Sequence, residues 1–153
     1  MPYKIPRSVL VVIYTLAGQV LLIERVNAQG QCSGVWQSVT GSLDHERESY
    51  ADCAAREVWE ETGLDAQADG HQLTDWHLEN TYDIWPHYLH RYAPGITRNT
   101  ERVFGLRVLL PTKVQLAPDE HVNQIWLPSA EAALKVSSAS NEAAITRLSQ
   151  LLA

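Results

Sequence analysis

Glu57, Glu60 and Glu61 stand at i, i+3 and i+4 within "CAAREVWEETG", residues 53–63. On a helix this spacing projects all three carboxylates from one face. Like charges so placed repel by about 0.2–0.5 kcal/mol per pair on an exposed helix. Arg56 alone cannot neutralise three of them. Either the cluster is a solvated face, or it serves a cation that the chain does not contain. A hard divalent ion suits the second reading, because Mg²⁺ takes one or two carboxylates and completes its shell with waters and substrate phosphates. An ion held there could neutralise the oxygens of a bound phosphate and acidify a water.

The surrounding stretch, "GSLDHERESYADCAAREVWEETGL" at 41–64, resembles the Nudix box, G-x5-E-x7-R-E-U-x-E-E-x-G-U, where U is a bulky apolar residue. Glu48, Arg56, Glu57, Val58, Glu60, Glu61, Gly63 and Leu64 fill every position from the first Glu onward. One departure stands out. Six residues rather than five separate Gly41 from Glu48, and Arg47 stands where many members carry Gly. The extra residue bears on the loop carbonyl, near Thr40 or Gly41, that often completes the family's metal site. The resemblance implies one Nudix domain over 1–153, a mixed sheet sandwiched between helices. It implies Mg²⁺, with Mn²⁺ able to substitute, held by Glu57, Glu60 and Glu61, with Arg56 orienting Glu57. Glu57 is also a candidate for taking the water proton; other members use a Glu from a distant loop.

Beyond the box, "YKIPRSVLVVIY", "WQSVTGS" and "HRYAPGITRNTE" (90–101) are similar to a folate-pathway branch of the family that acts on 7,8-dihydroneopterin 3′-triphosphate. That likeness implies a hydrolase releasing pyrophosphate and the monophosphate. It adds Glu120 as a metal ligand and candidate base. It also gives Lys4, Arg25, Thr40, the segment Tyr82, Asp83, Ile84 and Trp85, and Ser138 as substrate contacts. Each has a plainer reading: end-of-strand cations, a turn carboxylate beside Asp119, core aromatics. Two rival functions remain. One keeps the chemistry on dATP or 8-oxo-dGTP; the other is a binding module without turnover, which would have no need of a repelling carboxylate cluster.

The elements that must position these residues are legible in outline. Val-, Ile- and Leu-rich runs at 8–15 and 19–25 predict two strands around Ala17-Gly18. Residues 27–36 read as a polar loop, followed by a short strand ending at Gly41. The box predicts a helix with Ser49 as N-cap, Asp52 at its third position and Gly63 just beyond its end. Strands broken at Pro86 are expected over 71–92, then a loop at 93–101. Further strands are expected at 102–110 and 122–128, the latter after a loop over 111–121. Helices follow at 129–136 and from 140 onward, capped by Ser129 and Ser140. This order argues for an α/β (α+β) layered domain.

The 153 residues are 45% apolar and 20% charged, with a net charge of −6. There is therefore no global basic field to draw nucleic acid. Arg91, Arg98 and Arg102 suit a small phosphate pocket, or a loop fixed by Arg98 and Asn99, better than a nucleic-acid track. A small-molecule triphosphate is the expected partner. His87 and His90 lack ligand-spaced partners for zinc. Cys32 and Cys53 form no CxxC pair and read as buried thiols. No apolar run approaches 18 residues, so a cytoplasmic protein without a membrane span is expected.

Overall fold

The structure is a computed structural model that describes residues 2–152. Its elements are β1 (Arg7–Thr15), β2 (Gln19–Val26), β3 (Cys32–Gln37), β4 (Val39–Ser42), α1 (Tyr50–Thr62), β5 (Gln72–Asp83), a 3-10 helix (Pro86–Arg91), β6 (Arg98–Val108), β7 (His121–Pro128), α2 (Ser129–Lys135) and α3 (Ala139–Leu152).

β1 is the centre of a seven-stranded mixed sheet ordered β3-β2-β1-β6-β5, with β4 also on β1 and β7 also on β2. It runs parallel to β6 along its whole length and antiparallel to its other partners. Covered on both faces, it is a near-continuous apolar run rather than an alternating one. Its alternate residues feed two separate cores. Val9, Val11 and Ile13 pack with Val58 and Phe104 on the α1 side. Leu10 and Val12 pack with Val103, Ile145 and Leu148 on the α3 side.

β1's second edge is shared. β4 pairs with it at residues 8–11, whereas β2 meets it at Tyr14↔Val20. The chain from 32 to 42 pairs first with β2 and then crosses to β1. This fork brings β2, β3, β4 and β7 together at one end of the sheet, beside α1.

Several expectations need correction. The loop expected at 27–36 contains an edge strand: its turn closes by residue 31, where Asn27 Oδ1 accepts the Gln29 and Gln31 amides at 2.9 Å each. β3 then pairs Cys32, Trp36 and Gln37 with β2 despite its polar composition. β6 begins at Arg98, inside the expected loop, and the polar residues Asn99 and Glu101 on it are buried. Beyond Pro86 the backbone is a 3-10 helix, not a strand. Neither predicted serine caps its helix. Pro128 precedes α2 without a side-chain bond, and it is Ser138 Oγ that accepts the Asn141 amide at 3.1 Å at the start of α3. Cys53 is buried, but Cys32 is exposed. Among the described residues, no helix is long and apolar enough to cross a membrane.

Candidate active site

α1 carries the carboxylates, and local sequence fixes both its ends. Ser49 lies in extended backbone and its Oγ accepts the Asp52 amide at 3.0 Å. Gly63 adopts the left-handed conformation, φ 71°, and its amide donates to the Trp59 carbonyl at 2.9 Å. A serine N-cap contributes about 1 kcal/mol. Cys53, Ala54 and Val58 form the stripe that docks the helix, and burying Val58 contributes roughly 1.5–3 kcal/mol. That stripe draws charge inward with it. The Glu61 side chain is 3% exposed and Glu57 13%, whereas Glu60 is 51% exposed. Gly41 on β4 lies against Glu57, where any Cβ would collide with the carboxylate.

Arg56 is the hub of the box. It donates from Nε to Glu48 Oε2 at 2.8 Å and from Nη2 to Glu48 Oε1 at 3.0 Å. Nη2 also donates to the Ser42 carbonyl at 3.0 Å, tying the helix to β4. Nη1 holds Glu57 Oε1 at 3.0 Å and Glu60 Oε2 at 3.1 Å. Glu48 first, then Glu57, raise the arginine pKa, and Arg56 holds Glu48 below the ordinary carboxylate value. The extra residue before Glu48 is absorbed in a local turn. There the Glu48 amide donates to the His45 carbonyl at 3.1 Å and the Asp44 amide to Glu48 Oε1 at 2.8 Å.

Glu57 and Glu61 are neighbours, the first part-buried and the second buried. Burial pushes both carboxyls up; the charge of Glu57 raises Glu61 further, while Arg56 opposes the rise at Glu57. Ligand atoms of Glu61, exposed Glu120 and buried His121 lie within 4.8 Å of one another. His121 Nε2 is 3.5 Å from Glu61 Oε1 and 3.3 Å from Gln37 Nε2. Burial, then the charge of Arg25, lower the His121 pKa to about 4, so the ring is neutral at neutral pH.

Glu61 Oε2 and His121 Nδ1 are buried without a hydrogen-bond partner. A buried carboxylate oxygen with no donor is costly unless a cation satisfies it. The donor set is dominated by hard oxygens and has one imidazole and no thiolate, which fits a divalent cation of the Mg²⁺ or Mn²⁺ kind better than structural zinc. Glu60 is not gathered with Glu61; its carboxylate turns to Arg56 and solvent.

Positive charge converges on the same spot. Burial, then the charges of Arg91 and Arg25, lower the Lys4 pKa, and Glu57 raises it. Arg25 on β2 pairs across the ladder with His121 on β7. The Lys4 amide donates to the Arg91 carbonyl at 2.8 Å, bringing the 3-10 helix to the N-terminal segment. The other arginines of that region are engaged elsewhere: Arg98 pairs with Asp83 at 3.2 Å, and Arg102 with Asp75 at 2.9 Å and with Glu79.

The remaining candidates are scattered in kind. Thr40 Oγ1 lies 3.5 Å from Gln37 Nε2. Tyr82 and Trp85 are 42% and 69% exposed, so neither is a core aromatic. Asp83 is exposed on Arg98, Ile84 is buried, and Ser138 serves the start of α3. Sequence reasoning missed His121 and Gln37 as members of the site, and of the three arginines it assigned to a phosphate pocket only Arg91 comes to Lys4. A histidine directly after Glu120 was the available signal for the first; nothing local marked Gln37.

The chain matches the family model described as the NUDIX domain over residues 4–148. It is 42% identical over 144 residues to the dihydroneopterin triphosphate diphosphatase of Escherichia coli K12, covering 94% of this chain and 91% of that one. Its identity to the enzyme of the same name from Haemophilus influenzae is 34% over 150 residues, covering 96% and 89%. The solved structure of the E. coli dihydroneopterin triphosphate pyrophosphohydrolase superposes with a TM-score of 0.82 at 38% identity, covering 96% of this chain and 97% of that one. With the box residues assembled around α1 and this match along nearly its whole length, the chain belongs to the Nudix hydrolase family.

Proposed function

We propose that this protein is a Mg²⁺-dependent pyrophosphohydrolase that converts 7,8-dihydroneopterin 3′-triphosphate to the monophosphate and pyrophosphate. The observation that carries the chemistry is the meeting of two carboxylates, part-buried Glu57 and buried Glu61, with Lys4, Arg25 and Arg91 at one end of the sheet. The identity to the E. coli and H. influenzae enzymes supports the choice of substrate.

Glu57, Glu61 and Glu120 would hold the cation, with Glu60 at the outer edge. When bound, the ion supplies charge neutralisation on the phosphates and a more acidic water. The chain does the rest. Arg56 fixes the Glu57 carboxylate through Nη1. Lys4, Arg25 and Arg91 take phosphate oxygens, the arginines with planar forks suited to them. Water adds to one phosphorus of the bridge as the P–O bond breaks, and the phosphate group on the other side leaves with the electron pair. Exposed Glu120, beside Glu61, would accept the water proton. Its exposure lets the proton pass on to solvent.

Side-by-side kcat/KM values for dihydroneopterin triphosphate, dATP and 8-oxo-dGTP with Mg²⁺ test this function. The pterin should lead by at least about tenfold, equivalent to about 1.4 kcal/mol in transition-state binding. A better purine substrate would overturn the substrate while leaving the family in place.

A further inference from the structure

On the α3 side of the sheet lies a second set of buried polar groups that the phosphate chemistry does not use. Glu101 and Asn99 on β6 are 6% and 3% exposed. Glu101 Oε1 and Asn99 Oδ1 are both buried without a hydrogen-bond partner. Asn99 is held in place from its other end, since Nδ2 donates to Ser8 Oγ at 2.8 Å and to Tyr82 Oη at 2.9 Å. The two residues are two apart on one strand and so share a face. Two orphaned acceptors on one buried strand face would be a plain liability to the fold. They are what a site looks like when its ligand brings only donors.

We infer that Glu101 and Asn99 form the base-recognition site, accepting the donors of a 2-amino-4-oxopyrimidine edge. That edge presents a ring N–H and an exocyclic amino group side by side. Pterins and guanine carry it. Adenine does not, because its corresponding edge places an acceptor nitrogen beside its amino group, which would face the carboxylate repulsively. This inference rests on the proposed triphosphate reading of the site and deepens it.

The placement agrees. Glu101 is paired across the sheet with Ser8, and Ser8 with Ser42. At about 4.8 Å per strand this separates Glu101 from Ser42 by about 10 Å. The Ser42 carbonyl is the one that Arg56 grips, and neighbouring Gly41 abuts Glu57. A bicyclic ring on a three-carbon side chain can span that gap between Glu101 and the phosphate end. Tyr82, partly exposed and close enough for Glu101 to raise its phenol pKa after burial does, stands at the entrance. Burial likewise pushes the Glu101 carboxyl up, with Ser140 and Asn80 opposing. Donors from a ligand edge would relieve that burden.

The test is steady-state kinetics of Glu101→Gln on dihydroneopterin triphosphate, dGTP and dATP. Gln keeps the shape but removes the charge and one acceptor. The expected result is a fall of about 10- to 100-fold in kcat/KM for the pterin and for dGTP, the scale of a charged hydrogen bond lost from a buried site, with dATP unchanged or improved as the repulsion on its acceptor nitrogen is relieved. The dATP arm also reports that the variant is folded. An equal loss on all three substrates would mark Glu101 as structural, and no loss on any would remove it from recognition; either overturns the inference. Failure of the proposed function is read separately, in the wild type alone, as a purine substrate outrunning the pterin. In that case, a selective loss on dGTP but not dATP in the variant would still uphold the role of Glu101.

Discussion

Arg56 and Glu48 are joined by two parallel hydrogen bonds, of 2.8 and 3.0 Å, across a turn one residue longer than the family pattern. The bidentate pair is what makes the insertion harmless. The turn bulges at 44–48, and the carboxylate still arrives at the guanidinium. Arg56 in turn holds Glu57, so Glu48 acts on the site through another residue. Glu48→Gln should therefore lower kcat by more than about tenfold and destabilise the protein by about 1–3 kcal/mol, the scale for a charge-assisted bond lost from a part-buried group. Arg47→Gly, in the exposed turn, should stay within about 0.5 kcal/mol of wild type. Urea unfolding and initial rates measure both. A silent Glu48→Gln would show that Arg56 orients Glu57 unaided.

The three box glutamates should not be equivalent. Glu61 is buried and its neighbour Glu57 part-buried, whereas Glu60 is half exposed and lies on Arg56. Glu57→Gln and Glu61→Gln should each cut pyrophosphate release by orders of magnitude while circular dichroism stays native. Glu60→Gln should lose markedly less. Equal losses at all three positions would return Glu60 to the inner metal shell.

The box was legible because its signals are local. A serine N-cap, a left-handed glycine and an i, i+3, i+4 spacing are each decided within one helix, and the structure has all three. What was hidden depends on pairing across the sheet. β3 is polar because it is an edge strand, so only its partners on β2 reveal it. Asn99 and Glu101 lie in what composition marks as a loop, yet they are strand residues turned into the interior. His121 and Gln37 are separated by 84 residues and meet only because β3 and β7 both pair with β2. Arg91 reaches Lys4 through a backbone bond that no local pattern announces.

The metal-free protein should gain stability as pH falls from about 8 towards 5. Glu57 and Glu61 have folded pKa values raised above the ordinary 4.5, so their favourable contribution is complete below 4.5 and is lost as pH rises through the raised values. His121 works the other way. Its folded pKa is lowered from 6.5 to about 4, so its contribution is present above 6.5 and is lost as pH falls. Two carboxylates against one imidazole leave a net gain on acidification, at about 1.4 kcal/mol per pH unit for each proton not offset. Below 4.5 the trend reverses, because Glu48 has a lowered pKa and gives up its contribution there. Saturating Mg²⁺ should flatten the rise, since the cation replaces the protons, and Glu61→Gln should reduce it without metal. Thermal melts across this pH range, with Mg²⁺ and with chelator, provide the measurement. A metal-free protein that loses stability on acidification from pH 8 would contradict the shared burial of Glu57 and Glu61.

Trp85 offers the sharpest separation of binding from folding. Its ring is 69% exposed just beyond β5, three residues from Tyr82, and is tilted against His87 at 6.2 Å. So little burial means that Trp85→Ala should change unfolding free energy by no more than about 0.5 kcal/mol. Stacking of a flat heterocycle on an aromatic side chain contributes about 1–3 kcal/mol. If Trp85 stacks on the base, the variant should therefore raise KM for the pterin triphosphate by about 5- to 150-fold while leaving kcat near wild type. Stacking is indifferent to the hydrogen-bonding edge, so dATP should suffer by a similar factor, in contrast to Glu101→Gln. An unchanged KM on both substrates would move Trp85 out of the binding site and leave Tyr82 as the aromatic neighbour of the base.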